Sequence, residues 1–156
     1  MKKPKANASP TKFSREEVVD FCYSTGLASR YMAPATQSVA ETYSLGPRGA
    51  WILGLISTGV VFPSDLADVF GVGRSLITAE LTRLTEAGLV TRRVIPEDGR
   101  RFQLALTTLG IQAYEKMLNE LTALVNDRLS SYSRKDIARF VRILHDFGVR
   151  IPKSLM

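Results

Sequence analysis

The sequence predicts a mainly α-helical chain with one small β-hairpin, because three patterns follow one another along it. Residues 63–87 are typical of two helices separated by a glycine break. Residues 89–106 are typical of two short strands around a polar turn. From residue 108 onward, apolar residues recur every three or four positions, as on one face of a helix. This order of elements defines a winged helix-turn-helix lobe, which we expect at 46–107.

The boundaries within the lobe follow from proline, glycine and polar residues. Pro63 suits the first turn of a helix, and Gly71-Val72-Gly73 ends that helix. The predicted helices are 63–70 and 74–87, the predicted strands are 89–95 and 102–106, and the predicted turn is 96–101.

Helices are also predicted before the lobe. Ser14, followed by two glutamates, predicts the start of a first helix. Pro34 should kink or restart it, and the helix should continue to about Thr42. Pro47 is expected at the first position of the next helix, where a missing N–H costs nothing.

Two further helices are predicted after the lobe. The first should run from about Thr108 to Ser130 and carry a long apolar stripe. Ser133 and Asp136 have the spacing of a capping box, which predicts the start of a last helix. The residues expected on the buried face of this last helix are Ile137, Phe140, Val141, Leu144 and Phe147.

So long a helical stripe cannot be covered by so small a lobe, and exposed apolar surface of this size indicates an association face. We therefore expect a homodimer in which residues 14–45 and 108–150 form a helical dimerisation region. The alternative is a monomer whose last two helices fold back on their own lobe. Residues 1–13 are expected to be a disordered basic tail.

The composition limits the class of protein. A chain of 156 residues suffices for one domain of this kind. The longest apolar run, residues 50–56, is far shorter than the roughly 20 residues of a membrane span. The polar N-terminus and the single cysteine favour a cytoplasmic protein in a reducing compartment.

The net charge of +6 gives little information on its own. The first 15 residues carry five basic side chains and no acidic one, so the remaining chain carries only +1. Arginines recur between residues 74 and 101, the region of the predicted second helix and hairpin. This local clustering, rather than the overall charge, favours a nucleic-acid partner.

On a helical wheel of residues 74–87, Ile77, Leu81 and Leu84 share one side, and short polar residues lie opposite. The opposite side would enter a DNA major groove, with the hairpin reaching along the backbone. The predicted DNA-binding residues are Arg74, Ser75, Thr78, Ala79, Thr82, Arg83, Arg92, Arg93, Asp98, Arg100 and Arg101. The alternative is an ordinary hairpin with solvated arginines.

Five landmarks in fixed order resemble the MarR family, the multiple-antibiotic-resistance regulators. They are Leu66-Ala67, residues 75–84, residues 86–92, Asp98-Gly99-Arg100 and residues 106–110. The resemblance extends over about residues 13–148. It implies a dimeric, mostly helical transcription regulator that binds a pseudo-palindromic duplex. DNA affinity in this family is usually lowered by a small aromatic ligand or by oxidation.

The resemblance also assigns roles and reveals two departures. Arg100 matches the family arginine that enters the minor groove, and Asp98 shapes the turn. Family members often have arginine where this chain has Ala79, which leaves methyl contact with thymine as the expected readout. They often have an apolar residue where this chain has Glu80, which leaves open how closely this helix packs.

Two regulatory hypotheses follow. The aromatic residues Tyr23, Tyr31, Tyr43, Trp51 and Phe62 are expected on helices that meet between the dimerisation region and the lobe, where the family holds its effector. Alternatively, these aromatics are core residues. Cys22 aligns with the reactive cysteine of the hydroperoxide-sensing branch, and its alternative is a small buried core residue.

Other chemistry finds no support in the sequence. His145 and Cys22 are the only histidine and cysteine, so no ordinary zinc site is expected within one chain, and no cofactor is predicted. The expected function is a repressor released by a small aromatic ligand. The alternatives are a redox-switched repressor, an effector-independent architectural DNA binder and a protein-interaction module. An enzyme is not expected.

Overall fold

The computed structural model describes residues 12–95 and 98–148 and has seven helices and two strands there. In chain order they are α1 Arg15–Tyr31, α2 Ala33–Thr42, α3 Gly49–Ser57, α4 Pro63–Phe70, α5 Arg74–Glu86, β1 Val90–Ile95, β2 Asp98–Leu106, α6 Thr108–Leu129 and α7 Arg134–Phe147. The chain divides into two compact units between Ala33 and Pro34. The predicted class, mainly helical with one hairpin, is confirmed.

Helix α1 begins where its capping residues predict. The Ser14 hydroxyl accepts from the Glu17 backbone N–H, and the Ser14 N–H donates to the Glu17 carboxylate at 2.7 Å. This backbone donor, followed by the Ser14 hydroxyl, lowers the pKa of the Glu17 carboxyl. The predicted interruption near Pro34 is also found, since α1 is capped by Met32 and α2 carries Pro34 in its first turn.

The prediction that Pro47 begins a helix was wrong by two residues. Helix α3 begins at Gly49, and Pro47 lies in a turn closed by the Gly49 N–H bonding to the Gly46 carbonyl at 3.0 Å. Ser44 precedes this turn with a φ of 52°. A proline has the same φ in such a turn as in a helical first turn, so the residue type alone does not separate the two.

Helices α4 and α5 form the predicted helix-turn-helix. Gly71 ends α4 with a left-handed φ of 61°, and Gly88 follows α5 with a φ of 70°. A side chain at either position would be strained, which is why glycine stands at both helix ends.

The hairpin is longer at its outer end than the sequence predicts. Strand β2 begins at Asp98, so residues 98–101, predicted as turn, are strand. The register runs regularly from Val90 opposite Leu106 to Val94 opposite Phe102, but the next pair is Ile95 opposite Asp98. The three residues 99–101 therefore form an irregularity in β2. Polar composition predicts a turn but does not reveal an outer strand pair beyond a bulge.

The core lies in the second unit, where α3 contacts α5, α6 and β2. A backbone hydrogen bond of 2.8 Å from the Leu104 N–H to the Val61 carbonyl ties the hairpin to the segment before α4. The largest fully buried side chains are Ile52, Leu53, Leu66, Ile77, Leu81, Leu84, Leu89, Leu104, Met117, Val39, Val60 and Val90. The predicted inward set of α5 is thus confirmed.

A compact junction joins the end of α5 to the start of α6. The Thr107 hydroxyl donates to the Gly88 carbonyl at 2.6 Å and accepts from the Gly110 N–H at 3.0 Å, so it caps α6 and holds the preceding loop. A Cβ on Gly110 would come within 3.0 Å of the Leu89 carbonyl carbon. Residues 88–89 and residues 107–110, which belong to two of the sequence landmarks named above, therefore pack against each other.

The prediction of a buried face on the last helix was wrong for the single chain. No residue of α7 is buried, and Phe140 and Phe147 are 50% and 66% exposed. The Ser133–Asp136 capping box that starts α7 is present. The periodicity correctly predicted an amphipathic helix, but it could not say that, within the described residues, the chain leaves much of this face exposed.

Candidate nucleic-acid interface

Helix α5 has one buried face and one exposed face. Ile77, Leu81 and Leu84 are buried against the core. The residues predicted to face DNA are all exposed: Arg74, Ser75, Thr78, Ala79, Thr82 and Arg83. Because the inner face is anchored by side chains that pack tightly, these outward residues form an ordered surface of short side chains with a cation at each end, and Leu76 and Glu86 are exposed beside them.

The N-terminus of α5 is open to a ligand. Its N-cap is Gly73, which makes no side-chain hydrogen bond to the first turn. Backbone N–H groups at a helix N-terminus carry partial positive charge and bind phosphate well when no side chain caps them. Arg74 and Ser75, the first two helical residues, lie at this end and are exposed.

The threonine hydroxyls are already engaged within the helix. Thr78 donates its hydroxyl hydrogen to the Arg74 carbonyl at 2.9 Å, and Thr82 donates to the Thr78 carbonyl at 3.0 Å. Each hydroxyl can still accept a hydrogen bond, but it cannot donate without breaking this contact. With Ala79 beside them, these side chains offer methyl groups and acceptors, which suits thymine methyls and exocyclic amines of bases.

The hairpin contributes arginines on both of its faces. The Arg92 guanidinium lies 4.9 Å from the centroid of the Phe102 ring, where a cation–π contact orders it. Arg93 is also exposed and pairs with Gln103 in the register. The backbones of Asp98, Arg100 and Arg101 lie in β2, but their side chains lie outside the described part of the structure. Their DNA contacts therefore stay predictions.

Glu80 is an acid on the buried side of α5. It is 4% exposed, and its Oε2 accepts no hydrogen bond among the described residues. The nearest cation is Arg83, with 3.8 Å between Nη1 and Oε2. A Cβ at Gly46 would come within 2.5 Å of the Glu80 carboxyl carbon, so glycine there leaves room for the carboxylate. The helix still packs closely, because the turn before α3 accommodates the acid.

This acid–glycine pair is a feature that sequence reasoning missed. Gly46 and Glu80 are separated in sequence by α3, α4 and the first half of α5, and neither residue type signals the other. The unusual acid at the inner position was the only available clue.

The five predicted effector-binding aromatics are spread over different local environments. Tyr23 and Tyr31 are exposed on α1 in the first unit. Trp51 is half-buried on α3, whereas Tyr43 follows α2 and Phe62 caps α4, so neither of these two lies on a helix as expected. Their common role in ligand binding stays a prediction.

A groove of about 680 Å³ lies elsewhere, between the base of the hairpin, the end of α3 and α6. Arg93 and Gln103 line it on the hairpin side, and Tyr114 and Glu115 line it on the α6 side. None of the five predicted aromatics is in its wall. A basic and an acidic side chain face the same space, so its charge favours no class of ligand.

Cys22 is exposed on α1 in the single chain, and both its role as a sensor and the alternative of a buried residue stay predictions. Its thiol is accessible in this chain, which is one requirement for a redox sensor.

Within residues 12–95 and 98–148, no three or more His, Cys, Asp or Glu side chains are grouped to hold a metal ion. In the same part of the chain, no helix is both long and apolar enough to cross a membrane.

The helix-turn-helix, the hairpin behind it and the helix that follows define a winged-helix protein of the DNA-binding type. Residues 43–101, which include the helix-turn-helix, β1 and the first residues of β2, match the model of the MarR family. Over this segment, the resemblance to the MarR family seen in the sequence is confirmed.

Similarity to a characterised protein is limited to part of the chain. An HTH-type transcriptional repressor, YetL of Bacillus subtilis (strain 168), is 32% identical over 89 residues, which are 57% of this chain and 53% of YetL. The chain thus spans about half the length of the curated relative that it matches.

Solved structures share the fold at low identity. A MarR-family regulator from Rhodococcus sp. RHA1 has a TM-score of 0.70 at 18% identity, covering 88% of this chain and 100% of the other. A MepR variant of S. aureus, bound to an oligodeoxyribonucleotide, has a TM-score of 0.55 at 19% identity, covering 87% and 96%. At such identities the likeness establishes the fold alone.

Proposed function

We propose that this chain is a sequence-specific DNA-binding transcription regulator that acts as a homodimer, most simply as a repressor. The observation that carries the proposal is the two-sided helix α5, which is anchored on Ile77, Leu81 and Leu84 and exposes a run of short side chains flanked by Arg74 and Arg83 on the opposite side. A MepR variant of the same fold binds an oligodeoxyribonucleotide, and YetL is a repressor. Both facts support the proposal without extending to this chain by themselves.

A two-fold dimer is part of the proposal. Several apolar residues of α7 and of the outer half of α6 are exposed in the single chain, among them Val125, Phe140 and Val141. Covering this surface with a second copy would present two α5 helices to two successive half-sites of a pseudo-palindromic duplex.

The proposal is tested by fluorescence anisotropy with a duplex from upstream of the chain's own gene and a scrambled duplex of equal length. We expect tighter binding to the upstream duplex, with a salt dependence that reports the number of phosphate contacts. Equal binding to both duplexes would favour the architectural alternative, and binding to neither would contradict the proposal.

Thr78→Ala and Thr82→Ala test whether the exposed face of α5 contacts the DNA bases. Thr122 on α6 is a matched control, since it is exposed and bonds the carbonyl four residues earlier at 2.7 Å, as Thr78 and Thr82 do. Loss of a base contact typically costs about 1–3 kcal/mol, so each α5 variant should discriminate less between the duplexes. Thr122→Ala should bind like the wild type.

Arg100→Ala tests the hairpin. If Arg100 meets the DNA backbone or a narrow minor groove, its loss should reduce the slope of log affinity against log salt by about 0.9. An unchanged slope would remove Arg100 from the interface.

We also propose that a small aromatic effector lowers DNA affinity by favouring a spacing of the two α5 helices that does not fit the duplex. Anisotropy titrations with phenolic compounds test this, and Tyr43→Ala and Trp51→Ala locate the site. A ligand that releases DNA from these variants as readily as from the wild type would exclude the predicted aromatic site.

The exposure of Cys22 favours a second mode of regulation, in which peroxide oxidises the thiol and releases DNA. This mode predicts that hydroperoxide abolishes duplex binding by the wild type and leaves Cys22→Ser bound. Equal behaviour of the two proteins would exclude it.

A further inference from the structure

Glu80 is an acidic residue on the buried face of α5, the helix that is proposed to bind DNA. Ile77 and Leu84, one turn before and after it, are buried, and Glu80 itself is 4% exposed. The turn opposite its carboxylate is fixed by hydrogen bonds from the Leu45 N–H to the Ala40 carbonyl at 2.8 Å and from the Gly49 N–H to the Gly46 carbonyl at 3.0 Å. The carboxylate therefore lies against an ordered turn, with little of the side chain exposed to solvent.

A buried carboxylate needs partners, and this one has few. Its Oε2 accepts no hydrogen bond among the described residues, and its ion pair with Arg83 is long, at 3.8 Å. Removing the partner of a buried charge is costly, because the charge is then left desolvated and unpaired. The ion pair therefore matters more for Glu80 than for Arg83. The Arg83 side chain is half-exposed and can be solvated without its partner, whereas the Glu80 side chain is buried.

Arg83 has a second possible partner, because it lies exposed at the rim of α5 and is one of the predicted DNA-binding residues. At the rim of a helix in the major groove, the DNA groups that a guanidinium meets are the backbone phosphates. A guanidinium that moves out to a phosphate leaves Glu80 without its cation, and one that stays near Glu80 has its charge partly neutralised. Both situations weaken the attraction between this part of the helix and DNA.

We propose that Glu80 competes with the DNA backbone for Arg83 and thereby limits the affinity of this helix for any duplex. The inference rests on the proposed function, because it needs α5 to bind DNA. Glu80 makes no DNA contact itself. It is a positioning residue that acts through Arg83. Because it weakens a contact to the DNA backbone that is the same for every sequence, a larger part of the total DNA-binding affinity would come from sequence-specific contacts.

The test is a double-mutant cycle on the full chain, with E80Q, R83A and the double variant, titrated against the upstream and scrambled duplexes over a range of salt concentrations. E80Q keeps the shape of the side chain and removes the charge. In the presence of Arg83, E80Q should tighten binding to both duplexes about two- to fivefold and steepen the log–log salt slope by up to about 0.9. In the R83A background, E80Q should change neither quantity by more than a control variant that removes another acidic charge from α5.

E86Q is the matched control, since Glu86 is an exposed acid on the same helix and no ion pair with Arg83 is found for it among the described residues. Any general effect of removing one negative charge from α5 should appear with E86Q and persist in the R83A background. An effect of E80Q that exceeds the effect of E86Q and persists in the R83A background would overturn the proposal, as would weaker or unchanged binding by E80Q.

Urea unfolding of the same four proteins gives a readout that needs no DNA. R83A should lower the folding equilibrium constant more with Glu80 present than in the E80Q background, because only then is a buried charge left unpaired. If the wild type binds duplex DNA but the effects of E80Q and R83A on binding are independent of each other, this inference alone would be overturned. Failure of the wild type to bind any duplex would overturn the proposed function and the inference together, even if the urea coupling were found.

Discussion

Helices α5 and α7 carry similar apolar patterns and have opposite surroundings. Both have apolar residues at three- and four-residue spacing, yet α5 buries Ile77, Leu81 and Leu84, whereas α7 buries no residue. The difference lies in the neighbours and not in the helices, since α5 packs against α3, α4 and β1. Periodicity thus indicates which face of a helix is apolar, but not whether the same chain covers it.

Helix α6 contains both situations. Its first half buries Gly110, Ala113 and Met117, and beyond that point Leu118 and Val125 are 38% and 44% exposed. If the exposed half and α7 are covered by a second copy, substitutions on the two sides of Met117 should differ in kind. Those in the lobe should change the stability of the chain, and those in α7 should change its association.

The largest effect is expected for Leu84→Ala. Leu84 is fully buried, so its truncation should lower the free energy of unfolding by about 2–5 kcal/mol through lost burial and an unfilled cavity. Urea denaturation followed by circular dichroism measures this loss. A decrease below about 1 kcal/mol would mean that the lobe core repacks easily and would weaken the contrast with α7.

Gly110→Ala should come next, at about 1–3 kcal/mol, because the added methyl meets the Leu89 backbone, which cannot move without opening the junction. Gly54→Ala is the control within another helix of the core. Its Cβ would lie 3.5 Å from the nearest atom, in the Tyr114 ring, which is an ordinary contact. Equal stabilities of the two variants in urea would contradict the proposed role of the junction.

Phe140→Ala tests the α7 side of the comparison. Phe140 is 50% exposed in the single chain, so an effect on the fold of the lobe is not expected. If a second copy covers the α7 stripe, the dimer dissociation constant should rise at least about tenfold, equivalent to about 1.4 kcal/mol. Sedimentation equilibrium measures the constant. Arg142→Ala, on the opposite side of α7, should leave it unchanged, and equal constants for both variants would argue for a different dimer interface.

The smallest effect is expected for Ser133→Ala, which removes the capping box of α7. The Ser133 hydroxyl accepts from the Asp136 N–H at 3.2 Å, and exposed caps of this type contribute about 0.5–1 kcal/mol. Hydrogen exchange should show faster opening of the first turn of α7 and no change in α5. Faster exchange in α5 as well would show that the two regions unfold together.

Much of the fold could be predicted from local features of the sequence. Both capping boxes, the glycine ends of α4 and α5 and the inward face of α5 depend on residues within one or two turns of each other. Prediction failed where the same residue types occur in two kinds of local structure. Pro47 was expected in a helix and lies in a turn, and residues 98–101 were expected in a turn and lie in a strand. The exposed face of α5 was predicted correctly because a helix with one apolar side has only one other side to expose.

What the sequence determined by itself is the set of helices, the hairpin and the surface that α5 turns outward, since backbone conformation and amphipathicity are local properties of the chain. Only the tertiary structure decided which apolar faces are covered and which distant residues share a space. The Thr107–Gly88 contact and the room that Gly46 leaves for Glu80 are examples. Contacts of this kind join residues that are far apart in sequence, and their geometry depends on how whole elements pack.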